Sequence, residues 1–411
     1  MTQITIQRLG HLGDGIADGP IYAARMLPGE TVTGTLEGTR LSAPRILTPS
    51  EDRVAAPCRH YKTCGGCSVQ HASDRFVADW KQTIVKDALA AHGLDPTFAP
   101  IHTSPAASRR RASFSGKRTK KGAMVGFHAP ASPALVQVPE CQIITPGLAA
   151  LTPVLEEITL LGASRKAEIT LTVTETITGF DVSVAGGKPM DPVLQGALAQ
   201  VCSAGRVARL TWDDETVAQA EVPAVAFDGM AVPIPPGAFL QATQPGEAAL
   251  RDAVTEIVAG AGRIVDLFAG CGTFALPLAR GAEIHAVESE RTMLTALDAG
   301  WRRATGVKKV TTETRDLFRN PILPEDLKYN AVVIDPPRAG ADAQMRALAD
   351  SNIRTIAAVS CNPATFARDA RHLIEGGYVM GDLTIVDQFR WSPHVELVAR
   401  FDRPNIRAGQ R

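Results

Sequence analysis

The sequence predicts a parallel α/β sheet in its C-terminal part, preceded by a small β-barrel and a mixed α+β segment. Three observations carry this. From Arg263 onward, short apolar runs alternate with amphipathic runs of helical period, the pattern of a parallel sheet with crossover helices. Over residues 1–50, strand-like pieces are cut by Gly10, Gly13-Asp14-Gly15, Asp18-Gly19-Pro20 and Pro28-Gly29, the spacing of a small barrel. The 411 residues also exceed one domain, at roughly 100–200 residues each.

Composition narrows the class. Lys+Arg and Asp+Glu each number 43, apolar residues make up 45% and charged residues 21%. These values exclude a wholly disordered, collagen-like or coiled-coil chain. No stretch reaches the ~18 apolar residues of a membrane span, and MTQITIQRLGHLGDG lacks the apolar core of a secretory signal. A reducing, cytoplasmic location is expected. There the seven cysteines read as metal ligands, nucleophiles or buried hydrophobes rather than disulfides. The zero net charge hides an asymmetry. Residues 1–150 hold 17 basic and 11 acidic side chains, so a basic front half points to a local anionic partner.

The elements follow in order. Val32–Leu36 alternates as a strand, and residues 57–71 form a cysteine-rich loop. Residues 73–92 fit a helix capped by Ser73, with Trp80, Ile84, Ala88 and Leu89 on one face. Residues 109–140 read as strands and turns, Ile169–Val173 and Phe180–Val184 as a hairpin, and Pro233–Gly237 as a boundary. Then come a helix at Ala248–Val258, strands at Arg263–Phe268, Glu283–Glu288, Ala331–Asp335, Ile356–Ser360 and Val395–Phe401, and helices at Phe274–Arg280, Thr292–Arg303, Ala343–Ala349 and Pro363–Glu375. The last eight residues read as a tail.

Chemistry concentrates at strand ends. Ile264-Val-Asp-Leu-Phe268 runs into Ala-Gly270-Cys-Gly272-Thr273, and Glu288 ends the next strand. The glycines permit a tight turn and close backbone approach, and the carboxylate accepts hydrogen bonds from ribose hydroxyls. Gly270-x-Gly272-x-x-Ala275 leaves a dinucleotide open, while Asp266 favours S-adenosylmethionine (SAM). Asp335-Pro336-Pro337-Arg338 lies at a strand's carboxyl end, where open α/β sheets bind ligands; Arg338 stands where amino-group methyltransferases place an aromatic residue. Cys361, in Ser360-Cys361-Asn362-Pro363, sits between a strand and a helix N-terminus, whose field favours a thiolate. Glu396, in His394-Val395-Glu396, either faces solvent or serves as a base beside that cysteine. Cys58, Cys64, Cys67 and the distant Cys141 suit an iron–sulfur cluster or zinc, with His60 and His71 keeping zinc open. Cys202 and Cys271 read as bystanders. Arg109 to Lys121 carries seven basic residues in thirteen and no acid. With Phe114 and Phe127 as stacking faces, it reads as a phosphate contact or as a solvated hairpin edge.

Together these motifs resemble the RNA uracil-C5 methyltransferase family, above all its iron–sulfur branch acting on 23S ribosomal RNA, over almost the whole chain. The carriers are LGHLGDGIADG and YAARMLPGETV, Phe239-Leu-Gln241, DLFAGCGTFALPLA, DPPRAG, SCNPATFARD and HVE. The resemblance implies a TRAM-type RNA-binding barrel at 1–52, a central iron–sulfur and RNA-binding domain at 53–240, and a Rossmann-like, SAM-dependent methyltransferase domain at 241–411. It implies a 4Fe–4S cluster on Cys58, Cys64, Cys67 and Cys141, and SAM contacts by Gln241, Phe268, Gly270, Gly272, Thr273, Glu288, Asp316 and Asp335. RNA contacts fall to Arg109, Arg110, Arg111, Lys117, Arg118, Lys120, Lys121 and Phe239. Cys361 is the implied nucleophile on C6 of uracil and Glu396 the base that removes the C5 proton, in a monomer acting on RNA without a membrane. Thr273 replaces a common Asn, Asp316 stands where Asn also occurs, and Pro393 replaces Gly before His394.

Four rivals stand beside this reading. A tRNA uracil-C5 enzyme shares the motifs. An RNA cytosine-C5 enzyme needs a second cysteine where Arg338 stands. A non-catalytic RNA-binding iron–sulfur protein leaves Cys361 and Glu396 idle, and an NAD dehydrogenase also leaves the basic stretch unexplained.

Overall fold

The computed structural model describes residues 1–404; all of the expected tail except Pro404 lies outside them. Its strands form sheets of six, seven, two and eight strands. No described helix is long and apolar enough to cross a membrane.

The eight-stranded sheet carries the C-terminal part. Its spatial order is Val310–Thr314, Glu283–Glu288, Arg263–Leu267, Ala331–Ile334, Thr355–Ser360, Glu396–Asp402, Val379–Asp387 and His102–Thr103. The first five strands are parallel. The Glu396 strand runs antiparallel to both neighbours, with Leu397 opposite Ser360. Its beginning therefore lies at the edge where the parallel strands end.

The central strands are apolar on both faces because each face is covered. Ile264, Ile284, Val333 and Val359 join one core with Leu250 and Val254 of the helix Gln244–Ile257. Val265, Val332, Ile356 and Ala358 join the other with Phe366 and Leu373 of the helix Pro363–Glu375.

Most expected elements are present, with three instructive differences. The strand Val379–Asp387 escapes a sequence reading because Gly381 and Asp382 interrupt its pattern, and its ladder shifts register between Met380 and Leu383. The strand Val310–Thr314 offers one buried residue, Val310, and so little pattern. The expected helix after the glycine loop is a single turn, Ala275–Leu278.

The helix Asp74–Ala90 forms as expected, with the Ser73 hydroxyl accepting from the Phe76 amide. Its packing was not legible. Val85 and Leu89 enter the core under the eight-stranded sheet, and His102–Thr103 pairs with Val386–Asp387. Part of the 53–240 segment is thus built into the C-terminal sheet.

The seven-stranded sheet holds the expected hairpin as Ile169–Thr176 and Gly179–Ala185. The helices Thr152–Gly162 and Pro192–Ala204 close one face with Leu155, Ile158 and Leu198. Phe114 lies in this core at 3% exposure, which corrects its reading as a stacking face: it stacks on Phe127, centroids 5.0 Å apart, and offers no free ring. On the opposite face Ser113, Thr172 and Ser183 stand in register. The N-terminal six strands surround Ile6, Val32 and Leu41. Their order runs from Thr2–Thr5 to Arg8–Leu9, and no ladder among the described residues joins those two ends into the expected barrel.

Candidate active site

One cavity of about 840 Å³ opens at the carboxyl ends of the parallel strands. The glycine loop forms one wall. Phe268 leaves its strand with φ +64°, and Gly270 follows at +53°; both conformations turn the chain sharply before the helix. The Gly270 amide donates to Glu288 Oε2 at 3.1 Å, and the Ser289 and Glu290 amides donate to Oε1 at 2.7 and 3.1 Å. Glu288 is therefore fixed at its strand end with its carboxylate at the cavity wall. Gly272 does not line the cavity. With φ +97°, a Cβ there would stand 2.9 Å from Leu297 Cγ, so the packing of the loop requires glycine at this position. The Phe268 and Phe318 rings touch at a tilt of 57°, centroids 5.5 Å apart, in a cavity that Thr273 and Asp316 also line. Asp316 Oδ1 accepts from the Phe318 amide at 2.9 Å.

The opposite wall holds Asp335, Arg338, Cys361 and Glu396. Adjacent parallel strands bring Asp335 and Cys361 together. Ser360 Oγ accepts from the Asn362 amide, and Asn362 Nδ2 donates to the Arg338 carbonyl at 2.9 Å. Pro363 opens the helix that follows. Glu396 is 3% exposed, so of its two sequence readings it takes the one inside the site. Gln241 reaches Asp335, its Nε2 3.5 Å from Oδ2. Gln388 holds Gln241 in turn: its Nε2 donates to Gln241 Oε1 at 2.6 Å, and its Oε1 accepts from the Ala242 amide at 2.8 Å.

Desolvation dominates the electrostatics. Burial pushes the Asp335 carboxyl up to about 7. Burial, then Asp335, pushes Glu396 up to about 8, against hydrogen bonding by Gln388 and the charge of Arg338. Behind the loop, burial and then Asp335 hold fully buried Asp266 well above the usual carboxylate range. The Cys361 thiol is pushed up to about 11 by burial, then by Glu396 and Asp335, with Arg338 opposing. This corrects the expectation of a stabilised thiolate: burial and two carboxylates outweigh the helix N-terminus.

Cys58, Cys64, Cys67 and Cys141 line the far end of the same cavity. Burial pushes Cys67 up to about 12, with Cys141, Cys64 and Cys58 adding to it; burial, Cys141 and Cys58 also raise Cys64. Among the described residues, no three His, Cys, Asp or Glu side chains form a ready site for a metal ion. His71 Nδ1 is engaged by the Tyr61 hydroxyl at 2.6 Å.

The basic stretch divides. Arg109 and Arg111 line the cavity, and the Arg109 guanidinium lies 5.6 Å from the Phe389 ring centroid. Phe239, 63% exposed, stands at the rim. Lys117 pairs with Glu168 at 3.2 Å outside the cavity. Arg118 is half-buried, and Lys120 and Lys121 are exposed in the following turn. Arg110 is a correction. It is 4% exposed, donating to Glu247 and the Gln241 carbonyl at 2.5 and 3.3 Å, so it is an internal tie rather than an RNA contact. Gln388, Phe389 and Phe318 were missed; each is a single residue outside any motif.

Comparison with known proteins agrees with this geometry. The family model described as tRNA (Uracil-5-)-methyltransferase matches residues 302–401. An uncharacterized RNA methyltransferase of Rhizobium meliloti (strain 1021) is 42% identical, with 97% of this chain and 99% of that one covered. The 23S rRNA (uracil(1939)-C(5))-methyltransferase RlmD of Halomonas elongata is 30% identical, with 98% and 90% covered. The fold matches that of the Pyrococcus abyssi tRNA (uracil-54, C5)-methyltransferase solved with S-adenosyl-L-homocysteine, at TM-score 0.76, 22% identity and coverage of 97% and 99%. The site and fold define a SAM-dependent methyltransferase. The chain belongs to the RNA uracil-C5 methyltransferase family.

The raised thiol gives a direct test. In SAM-free protein, alkylation of Cys361 by iodoacetamide, followed by peptide mass spectrometry, should climb about tenfold per unit between about pH 7 and 10. Its midpoint should lie near 11. A midpoint below about 8 would contradict the burial argument.

Proposed function

We propose that this enzyme methylates C5 of a uridine in RNA through a covalent bond between Cys361 and C6, with Glu396 as the base. One observation carries the reading: Cys361, Glu396 and Asp335 share one cavity with Gln241 and Glu288. The 23S rRNA reading is favoured by the Halomonas elongata relative, which spans nearly the whole chain. A tRNA substrate is the second reading, favoured by the description of the matching family.

The residues present suit SAM. Glu288 offers fixed carboxylate oxygens for a ribose, Phe268 and Phe318 offer an apolar surface for an adenine, and Thr273 and Asp316 line the same cavity. SAM supplies an electrophilic methyl on a cationic sulfonium. A positive charge between Asp335, Glu396 and Cys361 favours the ionised form of all three. The Cys361 thiolate adds to C6, and the electron pair of the C5–C6 double bond moves into an enolate that makes C5 nucleophilic. C5 takes the methyl group, and the electron pair of the broken carbon–sulfur bond stays with the departing neutral thioether. Glu396 then removes the C5 proton as the S–C6 bond breaks, restoring the double bond and the thiol's sulfur. A uridine must leave its stack to reach Cys361; Phe239 at the rim and Arg109 and Arg111 in the cavity suit the flipped nucleotide and its phosphates.

We assign residues 1–52 as an RNA-binding TRAM-type unit, 53–240 as the central unit and 241–411 as the catalytic unit. The four cysteines suit a 4Fe–4S cluster by donor chemistry, since four thiols line one end of the cavity. No step is routed through it. Anaerobically purified protein should contain iron and acid-labile sulfide near four each per chain by the Cys₄ cluster rule. Stoichiometric zinc without sulfide would overturn that assignment.

The mechanism is tested on a denaturing gel with labelled RNA. Glu396→Gln should accumulate a protein–RNA adduct carrying the methyl group, and Cys361→Ala should form neither adduct nor product. Normal turnover by Glu396→Gln removes Glu396 as the base. Methylation by Cys361→Ala removes the nucleophile.

A further inference from the structure

We propose that Lys81 is a positioning residue for the loop that leads into Glu396, tying the approach to the catalytic base to a helix that starts shortly after the cysteine loop. The proposal rests on the reading of Glu396 as the base.

Lys81 is 0% exposed, on a helix whose other charged residues face outward or sit at its ends. Burying an ammonium is costly unless every proton finds an acceptor. All three do. Nζ donates to Asp387 Oδ1 at 2.5 Å, to the Phe389 carbonyl at 3.2 Å and to the His394 carbonyl at 3.0 Å. These acceptors mark the two ends of the loop between the strand Val379–Asp387 and the strand Glu396–Asp402. Lys81 thus closes the loop from beneath, pinning its entry beside Gln388 and its exit two residues before Glu396.

Neighbours of Lys81 hold the middle of the same loop. The Trp391 carbonyl accepts from the Ser68 and Val69 amides at 2.8 and 3.2 Å, directly after Cys67. Trp391 has φ +60°, a conformation that persists only where contacts enforce it. Its ring packs with Val69, Val77 and Trp80, against which Cys67 also rests. Arg390 donates to Asp74 at the start of the Lys81 helix, at 2.7 Å. The consequence is specific to one chemical step. Cys361 follows the strand Thr355–Ser360, whereas Glu396 opens its strand directly after the clamped loop and pairs with Val386 at the loop's other end, so a shift of the loop moves the base and leaves the nucleophile's support in place. A misplacement of about 1 Å can cost on the order of a hundredfold in rate.

The test compares full-length Lys81→Met, the double variant Lys81→Met/Asp387→Asn and Glu396→Gln. The double variant leaves no lone buried charge and so remains informative if the single variant fails to fold. Two readouts are taken: adduct formation and resolution on uridine-containing RNA, and hydrogen exchange of residues 387–395. The Lys81 variants should keep SAM affinity and rate of adduct formation within about twofold, resolve the adduct at least about tenfold more slowly, and exchange faster in 387–395 than elsewhere. Resolution at the wild-type rate, or an equal fall of SAM affinity, addition and resolution, would overturn the proposal. If Glu396→Gln accumulates no adduct, the base assignment fails instead, and the exchange rate alone decides: an unchanged loop in the Lys81 variants then overturns the positioning role.

Discussion

The site depends on one antiparallel strand. Five parallel strands present their carboxyl ends to the cavity, as in any open α/β sheet. Those ends supply Glu288, Asp335 and Cys361. A sixth parallel strand would add another carboxyl end. Instead the Glu396 strand enters in the reverse sense, pairing Leu397 with Ser360. Its first residue therefore meets the last residues of its neighbours, and a loop outside the parallel set controls where that residue stands. In the proposed mechanism nucleophile and base stand side by side at this edge: Cys361 just past the end of the strand Thr355–Ser360, and Glu396 at the start of its own strand, where it pairs with Val386.

Burial sets the chemistry of this junction. The same exclusion of water that sharpens interactions inside the cavity drives Asp335, Glu396 and Cys361 toward their neutral forms. Burial thus works against ionisation of all three groups. Arg338 is the charge that works against this on both Cys361 and Glu396. Its place after Asp335-Pro336-Pro337, where an aromatic residue would serve an amino-group target, has a physical meaning under the proposed mechanism: a cation there favours the ionised forms of Cys361 and Glu396.

The sequence disclosed the strand-end residues well and their supports poorly. Cys361 and Asp335 were legible because an apolar run, a turn and a proline mark each strand exit. Glu396 was legible only as a choice between solvent and site, since burial is decided by the strand inserted beside it. The glycine loop is legible as a cofactor wall, but the crowding by Leu297 that leaves no room for a Cβ at Gly272 is a packing fact with no local signature. Arg109, Arg110 and Arg111 look alike in sequence; a one-residue difference at the start of a strand sends Arg110 inward to Glu247 and leaves its neighbours at the cavity. Lys81 reads as an ordinary helix lysine because its carboxylate partner lies 306 residues away.

The central claim is that the methyl group goes to C5 and that a C5 proton leaves in the same cycle. Substrate RNA carrying tritium at C5 of uridine, incubated with SAM bearing a carbon-14 methyl group, tests it directly. The account predicts release of tritium to water in step with methyl incorporation, one for one at completion, with 5-methyluridine as the labelled product. Methyl incorporation without tritium release would place the methyl on another atom of the nucleotide and contradict the account.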